Sequence, residues 1–283
     1  MTDWAWLGIF SVALLAASLL GSWLPRQIIM THTRTQMVLS LVSGLMLGVA
    51  LCHLIPHSFG LVGDIDLVMA WSLVGLVFML LLLRLFHFHQ HDFVTAAASS
   101  ELSSAEADSS LPLHADLHAD SHAHAHSHSS DRGIGALGLF TGLCVHTVID
   151  GIALGAVMLS EHGLGLGVFL AILLHKPLDS LSIETVMANA GWASAQRWLA
   201  AIVFAALCPL AAMAFYLGMA PYLGSSLWLS GILAFAGGAF ICIALSDLLP
   251  EVQFHSHDRV RLTLLFLMGI GLALGIGWFE PAH

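Results

Sequence analysis

Apolar residues run in eight long blocks separated by short polar breaks. The blocks fall at residues 4–24, 35–55, 67–86, 133–159, 164–188, 196–217, 226–249 and 260–279. Each is close to the ~20 residues that cross about 30 Å of hydrocarbon at about 1.5 Å per residue. Buried core helices of a soluble protein are usually shorter and polar on one face, whereas these are apolar all round. The pattern predicts an all-α integral membrane protein with eight transmembrane helices.

Composition agrees. Of 283 residues, 58% are hydrophobic and 9% charged, and the mean hydropathy is +0.89. A soluble globular domain is excluded, because so little polar surface cannot cover so much apolar surface. No Lys or Arg precedes the first block. It lacks the basic flank of a cleaved signal peptide and is expected to be a retained helix. The organisation that follows is helices one to three over residues 1–86, a polar loop over 87–132, helices four and five over 133–190, and helices six to eight over 191–283.

The basic residues orient the chain. Arg26 and Arg34 fall in the first loop, Arg84 and Arg132 flank the third, Arg197 lies in the fifth, and Arg259 and Arg261 lie in the seventh. The termini and the even-numbered loops carry acidic residues and no Lys or Arg. By the positive-inside rule, both termini face out and the odd loops face the cytoplasm. The expected location is the plasma membrane, the inner membrane of a bacterium. Cys52, Cys144, Cys208 and Cys242 all fall inside blocks without a CxxC pair, and are expected to be small packing residues.

The third loop is different in kind. Between His87 and Arg132 the chain is rich in Ser, Ala, Asp and His, with nine histidines. Nothing there builds a core, so disorder is expected. His114, His118, His122, His124, His126 and His128 are candidates for handling borderline divalent metals as neutral imidazoles. An inert linker is the other reading.

A repeat is visible between distant blocks. Residues 44–56 read GLMLGVALCHLIP and residues 238–250 read GAFICIALSDLLP, with the glycine, an alanine and the [HD]-L-[IL]-P ending in register. The two blocks run in opposite directions through the membrane, which is the mark of an inverted repeat. A three-plus-two-plus-three arrangement follows, with helices four and five at its centre.

Those two helices carry the chemistry. His146 and Asp150 lie four residues apart in one block, and His175 and Asp179 lie four apart in the next. On a helix, residues at i and i+4 share a face. A carboxylate at the bilayer centre costs about 2.5–3.5 kcal/mol even on insertion scales, so two of them, with Lys176 beside them, signal a polar passage or site. Two imidazoles and two carboxylates suit Zn²⁺, with Fe²⁺, Mn²⁺, Co²⁺ and Cd²⁺ as competitors. Lys176 cannot ligate while charged and is expected to pair with Asp179 or Asp150. Pro177 deprives the Leu173 carbonyl of its partner and is expected to kink the helix. A buried salt-bridge network without metal is the bland alternative.

Polar clusters mark candidate approaches to this site. His53, His57, Asp64 and Asp66 stand near the outer end of the second helix, and Asp247, Glu251, His255 and His257 stand near the inner end of the seventh. Ordinary helix ends meeting water would look the same. Glu184, nine residues past His175, is either a lower step of the pathway or a partner for a neighbouring helix.

Together these features resemble the ZIP (Zrt/Irt-like) family of divalent metal transporters. Eight spans, external termini, a His-rich third loop, H-x-x-x-[DE] pairs in helices four and five, HLIP in helix two and SDLLPE in helix seven all look like that family. The resemblance implies that His146, Asp150, His175 and Asp179 hold the transported metal and that uptake runs toward the cytoplasm. It also exposes departures. Thr147 stands where many members carry an asparagine that serves a second metal, Lys176 occupies the other second-site position, and the sixth helix has no acidic residue. Aspartates replace the longer glutamates of many members. A single-metal site is therefore expected, with the lysine charge in place of a second ion.

No enzymatic activity or catalytic cofactor is expected, and zinc enters as substrate. The expected partners are divalent metal ions, the bilayer and, in a homodimer, a second copy of the chain; no segment suits nucleic acid. Two other readings use the same residues. A cation-diffusion-facilitator-like exporter also places His and Asp at i, i+4, but such exporters have six spans and a soluble C-terminal domain, whereas this sequence ends at His283. An intramembrane zinc hydrolase would need Ser180 or Ser182 as nucleophile, and neither lies in a recognisable activating motif.

Overall fold

The computed structural model describes residues 3–24, 32–85, 128–160, 162–219, 226–254 and 259–277. They form eight helices. Helix α1 spans Asp3–Trp23. Helix α2 joins His32–Val49, a wide π-turn at Ala50–Leu54 and Ile55–Val62. Helices α3 and α4 span Ile65–Leu85 and His128–Ser160, and α5 spans His162–Asn189. Helices α6, α7 and α8 span Ser194–Met219, Ser226–Phe254 and Arg259–Gly277. Seven are long and apolar enough to cross a membrane, and α8 adds the apolar stretch Val260–Ile276. The chain is a multi-pass membrane protein.

Two boundaries differ from those expected. Pro56 does not end α2, which runs on to Val62. A proline has no N–H to give and its ring crowds the carbonyl four residues back. Here the backbone widens just before it, with the N–H of Ile55 reaching the carbonyl of Ala50, five residues back. That π-turn gives the ring room and lets the helix continue. Helix α2 stops instead at Gly63, whose φ of 71° is left-handed and whose N–H bonds the Phe59 carbonyl at 2.7 Å. Helix α4 starts at His128, five residues before the expected block, because helical hydrogen bonding does not require the apolar character by which the block was delimited.

Packing follows small residues. Without a hydrophobic drive between helices in lipid, association depends on close van der Waals approach. On Gly44 a Cβ would overlap the Phe266 carbonyl, and on Gly269 the Leu41 carbonyl, so α2 and α8 lie backbone to backbone. Gly75 against Phe235 and Gly238 against Ser72 seat α3 on α7 in the same way. The buried residues of α3, Val68, Ser72, Gly75, Met79 and Leu82, recur every three or four positions and form that seam. Helix α4 packs chiefly on α6 and α1 on α5. Gly151 approaches Cys208 and Gly21 approaches Pro177 at those contacts.

The eight helices thereby sort into two groups, α1, α4, α5 and α6 in one and α2, α3, α7 and α8 in the other. The four most extensive pairs, α2 with α8, α3 with α7, α4 with α6 and α1 with α5, map onto one another if α1–α3 are exchanged with α6–α8 and α4 with α5. Gly44 and Gly238, aligned by the repeated motif, take the same role in their respective pairs. Polarity is reversed relative to a soluble protein. Val12, Leu73, Val74, Leu210 and Leu264 face outward, while His53, His57, His146, Asp150, His175 and Lys176 are buried. Cys208 and Cys242 are buried as packing residues and Cys144 is half-buried, but Cys52 is exposed on the π-turn. The widened backbone turns it outward rather than into the core.

Candidate metal centre

Helix α4 presents His146, Thr147 and Asp150 toward α5, which presents His175, Lys176 and Asp179 in return. The spacing of four residues stacks each His over its Asp on one helical face. One ligand atom from each of His146, Asp150, His175 and Asp179 lies within 4.8 Å of the others. Nε2 of His146 is 3.4 Å from Oδ2 of Asp150 and 3.8 Å from Oδ2 of Asp179. Nε2 of His175 is 3.2 Å and 3.7 Å from the same two oxygens. A tetrahedron built on metal–ligand bonds of about 2.0–2.1 Å has edges of about 3.3 Å. The shorter reach of aspartate is therefore sufficient here.

The orientation of His175 is fixed from behind. Its Nδ1–H donates to the Ala171 carbonyl at 2.8 Å, which in the neutral ring leaves Nε2 as a lone pair aimed into the cluster. Four electron-rich atoms then converge, and they repel one another unless a cation lies among them. Several polar atoms are buried without hydrogen-bond partners, namely Nδ1 of His146, Oδ1 of Asp150 and Oδ2 of Asp179. Of these, Oδ2 of Asp179 faces into the cluster, where an ion would meet it.

A cation already stands at one side. Lys176 is 0% exposed, and its Nζ lies 2.6 Å from Oδ2 of Asp150 and 3.5 Å from Oδ2 of Asp179. It donates to Oγ1 of Thr147 at 2.9 Å and sits over the Phe204 ring, 5.2 Å from its centroid. The lysine thus touches both carboxylates rather than one of the two. With neutral imidazoles, two aspartates and one lysine leave one net negative charge, which favours a divalent ion without making its binding irreversible.

The remaining candidates are more dispersed. His53 is buried in the π-turn and donates Nε2–H to the Ala273 carbonyl of α8 at 2.8 Å. His57 is buried one turn further on. Asp64 is exposed and caps α3, accepting the N–H groups of Asp66 and Leu67 at 3.1 and 3.2 Å. Among the described residues, these do not join the four-ligand cluster. Asp247 and Glu251 fall on α7 with side chains outside the description; His255 and His257 lie outside the described residues, as do His114, His118, His122, His124 and His126. His128 is the first residue of α4.

Glu184 is buried on α5, with Arg197 Nη1 of α6 3.1 Å away. The sequence placed Arg197 in a loop and left Glu184 without an assigned partner. The signal was available in principle, since a buried carboxylate requires a nearby cation and Arg197 is the first one beyond α5.

Residues 4–277 match the description of the family "ZIP Zinc transporter". Zinc transporter ZIP9 of Micropogonias undulatus is 28% identical over 306 aligned positions, covering 92% of this chain and 89% of that protein. Zinc transporter ZIP9-B of Xenopus laevis is 32% identical over 125 positions, or 42% of this chain and 41% of the relative. The family match spans nearly all of the bundle and includes both helices whose His and Asp side chains converge, and on that match the chain belongs to the ZIP zinc transporter family.

Proposed function

We propose that this chain moves divalent metal cations, zinc foremost, into the cytoplasm through a single-metal site formed by His146, Asp150, His175 and Asp179. The observation that carries the reading is the position of Lys176. Its ammonium bridges the two ligand carboxylates and bonds Thr147, so a fixed positive charge fills the space in which a second ion would have to share those oxygens. The names of the two relatives support zinc as the principal substrate. Fe²⁺, Mn²⁺, Co²⁺ and Cd²⁺ are weaker competitors on ligand chemistry.

Direction rests on loop charge. Arg26 and the arginines at the helix ends that border the odd loops, Arg34, Arg84, Arg132, Arg197, Arg259 and Arg261, share one side, which supports a cytoplasmic place for the odd loops in a plasma membrane with both termini outside. Asp64 and Asp66 then mark the outer approach, with His57 and His53 below them. The ion binds between α4 and α5, its charge is met by the two aspartates, and relative movement of helix blocks opens the site inward.

Two experiments test this. In zinc-starved cells, surface-localised His146→Ala and Asp179→Asn proteins lose uptake; wild-type rates from either would overturn the site. In proteoliposomes, zinc flux measured with competing metals gives direction and selectivity, and net export toward the outer face would reverse the assignment.

A further inference from the structure

Below the metal site, α5 carries a line of polar groups. Lys176, Ser180 and Glu184 are spaced four residues apart, so all three lie on one face of the helix. Their exposures are 0%, 1% and 3%. The line looks toward α6, because Lys176 lies over Phe204 of α6 and Glu184 meets Arg197 of α6. Apolar residues flank its lower half. Ile183, Met187, Ala136, Ala200 and Phe204 form a small core of their own, separate from the main one.

Ser180 distinguishes this line from ordinary helix decoration. A hydroxyl in a membrane helix normally bonds the carbonyl four residues back, as Thr185 does to Leu181 at 2.8 Å. Ser180 Oγ is buried and has no hydrogen-bond partner. It lies between two charged groups, and about 7–8 Å of helix separates Asp179 from Glu184 at about 1.5 Å per residue. At the far end Arg197, 21% exposed, closes on Glu184 at 3.1 Å with its own Nε unpaired. Glu184 stands near the end of α5 at Asn189 and Arg197 near the start of α6 at Ser194, so the ion pair lies close to the loop that joins the two helices.

We propose that the seam between α5 and α6 is the route by which the ion leaves the site, and that the Glu184–Arg197 ion pair is its gate, closed in this structure. The inference rests on the transport reading above. Ser180 and Glu184 supply the oxygens that an ion meets after Asp179. Movement of the Arg197 guanidinium frees a Glu184 oxygen for the ion. The ion and the arginine then alternate on one carboxylate, as the ion and Lys176 share the aspartates above.

The test uses the full-length protein in proteoliposomes, with Ser180→Cys as a reporter and a membrane-impermeant maleimide as probe. The same proteins retaining Ser180 give the background from the native cysteines. With the ion pair intact, labelling from either face is slow. In Arg197→Gln and Glu184→Gln backgrounds, labelling from the face carrying the α5–α6 loop rises about tenfold or more, and the charge-swapped pair Glu184→Arg with Arg197→Glu restores protection. Equal labelling with the pair intact, broken and swapped overturns the gate. So does a rise from the opposite face only. If the single variants fail to fold, the swapped protein decides alone, because it retains the ion pair and must label as slowly as the parent while losing zinc flux. Zinc flux in the parent is read in parallel. Its absence would count against the transport reading, while the labelling ratios still decide the gate.

Discussion

The ammonium of Lys176 lies 2.6 Å from Oδ2 of Asp150, the same oxygen that faces Nε2 of both His146 and His175. One carboxylate oxygen therefore serves a resident cation and looks into the space where a transported one would bind. Replacing that cation with a further ligand should change the stoichiometry. Thr147→Asn with Lys176→Glu is expected to bind two zinc ions per chain where the parent binds one, measured by metal analysis after gel filtration. A single ion in the double variant would contradict the assignment of Lys176 as the second ion's substitute.

Removing the charge without adding a ligand gives a different outcome. Lys176→Met leaves two buried aspartates without their fixed counter-charge, which costs about 3–5 kcal/mol in the metal-free protein. Zinc should recover much of it. Thermal melts followed by tryptophan fluorescence are expected to show a larger zinc-induced rise in Tm for the variant than for the parent.

The parent itself should be stabilised by its substrate. An ion that binds the folded site alone adds about 2.7 kcal/mol at a hundredfold excess over Kd. Zinc is expected to raise Tm and a chelator to lower it, and His146→Ala is expected to abolish the difference.

Asp64 combines two roles that one substitution can separate. Asparagine caps a helix about as well as aspartate, so Asp64→Asn keeps the bonds to Asp66 and Leu67 while removing the charge. The expected result is an unchanged Tm with KM for zinc raised about two- to threefold at low salt. The difference should fade near 1 M salt, where charge is screened within about 3 Å. Asp64→Ala should lower Tm as well.

Gly238→Val tests the packing of α7 on α3. A side chain there meets the Ser72 backbone, which cannot move aside as a flexible side chain would. The expected cost is about 1–3 kcal/mol or more, read as a lower Tm. Gly271→Val, with open space at its position, should be neutral.

Apolar block length was enough to count the helices, because hydrocarbon thickness acts on every span alike. It could not locate the end of α2, where a π-turn lets the backbone pass Pro56, nor the start of α4, which forms helix before it becomes apolar. The pairing of His146 with Asp150 and of His175 with Asp179 on one face each was legible for a similar reason: i, i+4 spacing is a local property of one helix. Contacts set by tertiary approach were not. That Lys176 would touch both aspartates, that His175 would be held by Ala171, and that Arg197 would reach Glu184 all depend on how neighbouring turns meet. Charge balance alone could have proposed the last of these.

The sorting of helices into two groups has a mechanical consequence. His146, Asp150, His175, Asp179, Lys176, Glu184 and Arg197 all belong to the group of α1, α4, α5 and α6. Where α4 and α6 face α3 and α7, Trp71, Ile149, Ile152, Trp228 and Phe235 line a cavity of about 320 Å³. A loosely filled greasy seam has no register to lose when its two sides slide. If one group shifts against the other, the four side chains around a bound ion move together, and the Glu184–Arg197 pair still has to part before the ion leaves them.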